Sequence, residues 1–109
     1  MMISYNENPT LNNKCALIAI STTENDIGET VKLETPTILW CAEFSVMSNE
    51  FYNASQSGIK VQKVLCVHSN EYKGQTLLEY QGTKYSIYRV YLRSDRKTEL
   101  YCSERVGNG

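Results

Sequence analysis

The chain has 109 residues, 41% of them hydrophobic and 21% charged, with a formal net charge of −1. That length holds one domain with one core, that composition excludes wholesale disorder, and that balance excludes a protein whose main affinity is for phosphate backbones, which needs a clear basic excess to displace counterions. The charge is nevertheless polarised: residues 1–56 set Lys14 and Lys32 against seven acids, a balance of −5, while residues 57–109 set nine basic residues against five acids, +4, an asymmetry that can orient a subunit against a copy of itself or another charged partner.

Residues 1–13 are polar and aperiodic and predict a flexible N-terminal segment. "CALIAIS" (Cys15–Ser21) is a short apolar run of the kind that forms a strand buried on both faces. "TTENDIGET" concentrates Asn, Asp and Gly and predicts the connection between two antiparallel strands. A second strand is expected from about Val31 to Ser45, with Pro36 marking an edge or a bulge because proline cannot donate to the ladder. Along it Ile38, Trp40, Ala42 and Phe44 alternate with Leu39, Cys41, Glu43 and Ser45, so one face is continuously apolar.

A helix is predicted next. Ser48 suits an N-cap, Glu50 lies in the first turn at the positive end of the helix dipole, Met47 and Tyr52 occupy staple positions, and Gly58 is the natural stop. So short a helix does not persist alone in water, so Phe51 and Tyr52 are expected to anchor it on the open end of a sheet. From Ile59 onward the pattern is a meander: "IKVQKVLCVHS", "QTLLEYQ", "KYSIYRVYL" and "TELYCSERV" read as strands, and "NEYKG", "QGTK" and "RSDRK" as turns. In "KYSIYRVYL", simple alternation places Tyr85, Ile87, Arg89 and Tyr91 on one face. The expected fold is mainly β: a small antiparallel β-barrel or meander with one short α-helix and long loops, formed by residues 14–106 and followed by a tail at 107–109.

No catalytic pattern stands out. Cys15, Cys41, Cys66 and Cys102 form no CxxC pair and the lone His68 cannot complete a cluster with Cys66, so neither metal nor cofactor is expected and the cysteines read as reduced core residues. A solitary strand histidine is expected to be a half-buried packing residue. There is no nucleophile elbow, P-loop, GxGxxG or HExxH, and the chain is not expected to be an enzyme. "ALIAI" is too short for a signal peptide and lacks a basic lead, and nothing reaches transmembrane length, so a soluble product with no membrane partner is expected. Tyr80, Tyr85, Tyr88, Tyr91 and Tyr101 lie beside Lys84, Arg89, Arg93, Arg96 and Lys97, a mixture that would suit an OB-like barrel stacking single-stranded bases. The same rings equally suit cross-strand pairs and interfaces.

The block "WCAEFSVMSNEFYNASQSGIKVQ" followed by "EYKGQTLLEYQGTKYSIYRVYLRSDRKTELYCSERVG" resembles the head-closure (head-tail joining, stopper) proteins of tailed phages and prophages of Gram-positive bacteria. The elements that carry the resemblance are Trp40–Cys41 at a strand end, the Ser48–Ala54 helix with Glu50, Phe51 and Tyr52, the Gly58–Lys60 lead into the next strand, the Tyr80–Tyr88 hairpin with Gly82, and the Glu99–Tyr101 finishing strand. They occur in the expected order over residues 15–107; the N-terminal segment carries the poorest match.

The resemblance implies a structural virion protein rather than an enzyme. Its subunits would form a homo-oligomeric ring, hexameric or dodecameric, below the portal and adaptor proteins on the head side and above tail-terminator or tail-tube proteins. The ring would seal the channel around packaged double-stranded DNA and offer the platform for the tail, with assembly in the host cytoplasm. A tail-completion protein of the same neck region is the nearest alternative within that resemblance. On this reading Asn53, Ser55, Gln56, Ser57 and Gly58 are expected to face the lumen or the neighbouring subunit, and Lys60, Lys63 and Lys73 are candidates to face DNA phosphates without sequence readout.

Overall fold

The computed structural model describes residues 9–104, so the tail expected at 107–109 and the first eight residues lie outside the described part. Six antiparallel strands close into a barrel: β1 (Asn13–Glu24), β2 (Thr30–Phe44), β3 (Val61–His68), β4 (Leu77–Tyr80), β5 (Thr83–Leu92) and β6 (Lys97–Glu104), in spatial order β1-β2-β3-β6-β5-β4. One helix, α1 (Ser48–Gln56), joins β2 to β3, and a single 3-10 turn at Ser69–Glu71 follows β3. The expected fold class is therefore the observed one. Residues expected to be a free N-terminal segment are partly packed: Pro9 is buried and Leu11 is half-buried against the barrel wall before β1 begins.

The barrel interior is one apolar cluster to which every strand contributes: Cys15 and Leu17, Leu39 and Cys41, Leu65 and Val67, Leu78 and Tyr80, Tyr85, Leu100 and Cys102. A second cluster lies on the outer side of β2, β3 and β6, where Ala42, Phe44, Val64, Cys66 and Tyr101 are covered by Leu11, Val46 and Tyr88. The period-2 alternation of side chains makes both possible: Leu65 and Val67 point in while Val64 and Cys66 point out. It also corrects the expectation for β2. Leu39 and Cys41 are interior, whereas Ile38 and Trp40, which share the other face with Ala42 and Phe44, are 70% and 50% exposed. The apolar face read from the sequence is real, but only its last two residues find a cover.

Each mouth is closed differently. At the end where α1 sits, Glu43 accepts hydrogen bonds from Lys63 Nζ at 2.8 Å and Tyr80 Oη at 3.0 Å, a polar plug. At the other end Tyr72 packs on the interior cluster and donates to the Gln75 carbonyl at 2.8 Å, and Ser69 and Thr98 share a hydroxyl hydrogen bond at 2.7 Å. Gln81 and Gly82 join β4 to β5 with φ of +53° and +81°, the left-handed pair that a two-residue hairpin turn requires. A bulge between Ile87 and Arg89 reverses the faces of β5, so Tyr85 and Ile87 point in, but Arg89 pairs with Tyr101 and Tyr91 with Glu99 on the outside. Simple alternation could not show this.

The strongest departure from a compact barrel is in β1 and β2. β4 pairs with β1 only from Ala16 to Ile18, and β3 pairs with β2 only from Ala42 to Phe44. From Ala19↔Thr35 to Glu24↔Thr30 the two strands continue as a hairpin with no third strand, an arm of about 20 Å at ~3.3 Å per residue. The arm helps make the molecule 59 Å long but only 30 and 23 Å across. "CALIAIS" is thus buried at Cys15, Leu17 and Ile18 but exposed from Ala19 onward, because the strand leaves the barrel midway along the run. Pro36 sits opposite Ile18 where β2 has one neighbour only: the edge reading holds, and the register with β1 runs unbroken through it.

Candidate functional site

Helix α1 is held by groups other than those expected. Its 3.6-residue period places Glu50, Ala54 and Ser57 on one side and Ser48, Phe51, Tyr52 and Ser55 on the other. The first side faces the barrel: Ala54 is buried, and the Glu50 carboxylate accepts from Tyr88 Oη and from the Arg89 guanidinium. Arg89 itself stacks 3.8 Å above the Tyr101 ring, and Tyr88 meets that ring edge-on at 6.4 Å. Phe51 and Tyr52 are 56% and 63% exposed and do not anchor the helix on the barrel among the described residues. The fixing element is a charged latch to the outer wall, so the helix neither plugs the barrel nor docks through its aromatics.

The ends of the helix follow different rules. Met47, rather than Ser48, is the N-cap, and no side chain caps it. At the C-terminus the Ile59 N–H reaches the Ala54 carbonyl at 2.9 Å and the Gly58 N–H the Ser55 carbonyl at 3.0 Å, a Schellman motif. Gly58 has φ +78°, a conformation that residues with a Cβ adopt at a cost, so the glycine stop read from the sequence is physical.

The five residues expected to face the lumen or a neighbouring subunit form the last turn and cap of α1. Asn53 and Ser57 line an open, polar cleft of about 460 Å³ between α1 and β5, together with Asn49, Glu50, Ala54, Ile59, Tyr88 and Arg89. Ser55 is exposed and its hydroxyl donates back to the Tyr52 carbonyl at 2.9 Å; Gln56 and Gly58 are also exposed. The three candidate lysines do not form a patch. Lys63 is tied to Glu43 in the barrel plug at 2.8 Å. Lys60 is exposed just before β3, and Lys73 is exposed beyond its far end, beside Ile18, Ala19 and Ile20 at the root of the arm.

Charge is locked pairwise over much of the surface. Hydrogen bonding from Lys63 and Tyr80 holds the Glu43 carboxyl below its usual range against the opposing effect of burial. Burial acts to raise the Glu50 carboxyl, but Arg89 and Tyr88 outweigh it and leave it lowered as well. Arg93 joins Asp95 and the buried Glu99, whose other oxygen accepts from Tyr101 Oη at 2.6 Å. Tyr80, Tyr85 and Tyr101 are buried and Tyr88 is engaged by Glu50, so the tyrosines expected to stack bases are not displayed together; Tyr91 is the exposed member of that set.

All four cysteines are free and buried, and burial raises the Cys66 thiol to about 11 and the Cys102 thiol to about 12. His68 is exposed at the end of β3 instead of half-buried. Among the described residues no three His, Cys, Asp or Glu side chains gather into a metal-binding group, and no helix is long and apolar enough to cross a membrane.

Exposed apolar side chains gather in several places: Ile38 and Trp40 on the outer face of β2, Val90, Tyr91 and Leu92 at the end of β5, and two further groups. One is the outward face of α1, where Met47, Phe51 and Tyr52 are exposed. The other is the arm, where Ile20, Val31 and Leu33 are exposed along the strands and Ile27 is 77% exposed at the tip. Ile27 is held there by Asn25, whose Oδ1 accepts from the backbone N–H of Ile27 at 3.1 Å and of Glu29 at 2.9 Å, with Gly28 at φ +85°. Sequence reading passed over this tip as a linker; the signal was an isoleucine inside an otherwise polar turn.

No family model and no curated protein matches the chain. Among solved structures, the solution structure of protein SF1141 from Shigella flexneri 2a, a structural genomics target, has a TM-score of 0.67 at 18% identity, covering 92% of this chain and 96% of that one. The likeness is one of fold.

Proposed function

We propose that the chain is a virion structural protein, the subunit of a head-closure ring at the head-tail interface. The observation that carries the reading is a pair of unlike exposed patches at opposite ends of β2: an acidic arm whose apolar tip precedes Thr30 and an aromatic helix face after Phe44. A cyclic, head-to-tail assembly needs two different surfaces on each copy, and it closes when one rotation repeats. The motifs that resemble head-closure proteins support the same reading: Trp40–Cys41, the Ser48–Ala54 helix, the turn at Gly82 and Glu99–Tyr101 fall on a closed barrel with a single helix between β2 and β3. The ring would retain packaged DNA through its constriction and present a platform to the tail, with adaptor or portal proteins on its other side.

The test is a particle assembled without this chain. Negative-stain images of the lysate should show heads that have lost DNA and stand beside unattached tails, and supplying the protein in trans should restore joined particles. Normal tailed particles in its absence would overturn the proposal. The single-stranded nucleic-acid reading finds less support, since Tyr80, Tyr85 and Tyr101 are inside packed clusters where no base can stack on them.

A further inference from the structure

We infer that the acidic tip of the arm docks on the outward face of α1 of the next copy, with Ile27 seated against Phe51 and Tyr52 and the tip carboxylates directed at Lys60. This rests on the ring reading and names the contact that would build it.

The arm needs a partner on physical grounds. A two-stranded hairpin with no third strand and no covering layer is marginal in water, and an uncovered strand edge invites pairing unless it is protected. The arm has both features beyond Ile18, and it carries Ile20, Ile27, Val31 and Leu33 in the open. Among the other exposed apolar groups, Ile38 with Trp40 and Val90 with Tyr91 and Leu92 lie on barrel strands, while Met47, Phe51 and Tyr52 stand at the helix beyond the far end of β2 from the tip, its opposite side latched by Glu50.

Charge argues against covering the arm with the arm of a second copy. Residues 19–35 carry Glu24, Asp26, Glu29 and Glu34 against Lys32, a net of −3. Glu34 is already paired with Lys84 of β5 at 2.8 Å, and placing arm beside arm would bring the other acids, Glu24, Asp26 and Glu29, of one copy onto those of another, a like-charge juxtaposition that disfavours it. The chain just beyond the helix offers the opposite sign. Lys60 is exposed two residues beyond the Gly58 stop and has no ion pair among the described residues, while Glu50, the acid of that helix, is already neutralised by Arg89.

Reach selects between contact within one copy and contact between two. The tip and the helix flank β2, whose 15 residues separate them by roughly 45 Å at ~3.3 Å per residue, so the arm cannot fold onto its own helix without dismantling the strand. The contact is therefore intermolecular and heterologous, the type that closes into a ring.

The experiment is sedimentation of the full chain over a concentration series, for the wild type, Ile27→Asp, Phe51→Asp and a 1:1 mixture of the two. The wild type is expected to form a discrete oligomer, and each variant should weaken self-association by roughly tenfold or more, the scale of losing an interface anchor. The mixture should form a dimer and stop there, because only one intact arm then meets one intact helix face. Lys60→Glu should weaken assembly and Asp26→Lys in the same chain should recover it. Ile27→Ser and Phe51→Ser, with circular dichroism, separate lost docking from lost folding. An oligomer indifferent to Ile27 and Phe51, or a mixture that remains monomeric, overturns the docking while leaving the ring reading in place. A wild-type chain that stays monomeric at every soluble concentration overturns both.

Discussion

The two halves of β1 and β2 obey opposite rules although each pair of halves is one continuous strand. In the barrel half, Cys15, Leu17, Leu39 and Cys41 are buried in the interior cluster. In the arm half, Ile20, Leu33 and Val31 have the same chemistry and the same hydrogen-bonded partner strand, yet stand exposed. The difference teaches that apolar character alone does not assign a residue to the core. Facing the interior cluster does, and β1 and β2 leave that cluster beyond Ile18 and before Leu39.

The sharpest way to break the comparison is to truncate one leucine in each region. Leu100→Ala, at a fully buried interior position, should cost ~2–5 kcal/mol through lost transfer energy and the cavity left behind, read as a lower urea midpoint. Leu33→Ala on the arm should stay within ~0.5 kcal/mol for the monomer. Equal losses would mean that the arm is packed in the free subunit.

The helix extends the comparison to polar contacts. Glu50→Gln removes the charged latch to Arg89 and should cost on the order of 1–3 kcal/mol, seen as faster hydrogen exchange of α1 amides while barrel amides stay protected. Acid should do the same reversibly. Glu43 and Glu50 both have carboxyls lowered in the folded chain, so the unfolded chain binds more protons in acid. Their stabilisation is full above the unfolded value of ~4.3 and is lost as the pH falls through the lower folded values. Urea midpoints should therefore fall progressively below about pH 4.3, and Glu50→Gln should flatten that fall.

Two smaller effects finish the series. Gly58→Ala should cost about 1 kcal/mol because φ +78° disfavours a Cβ, although open space surrounds the position. Phe51→Ala should leave the unfolding midpoint of the monomer nearly unchanged, since the ring is exposed. Phe44→Ala, by contrast, should lose ~3–5 kcal/mol from the outer cluster.

Much of the fold was legible in local chemistry. Alternation marked the strands, Gly82 and Gly58 marked a turn and a stop, and Pro36 marked an edge, because each of these follows from backbone geometry within a few residues. The sites were less legible. Phe51 and Tyr52 read as anchors because aromatics are ordinarily buried, but which side of α1 meets the wall depends on Arg89 and Tyr88, some 38 residues further along the chain. The reversal of faces in β5 was hidden for a related reason: a bulge shows in the pairing with β6 and leaves no mark in the alternation itself.

By itself the sequence determined that this chain is mainly β with one short helix and polarised charge, since composition, periodicity and turn chemistry act locally. Only the tertiary structure decided where the barrel closes, which apolar residues lie beyond that closure, and which acids are already neutralised. Those outcomes depend on pairings between distant strands, whose register selects the side chains that reach the interior and those left exposed.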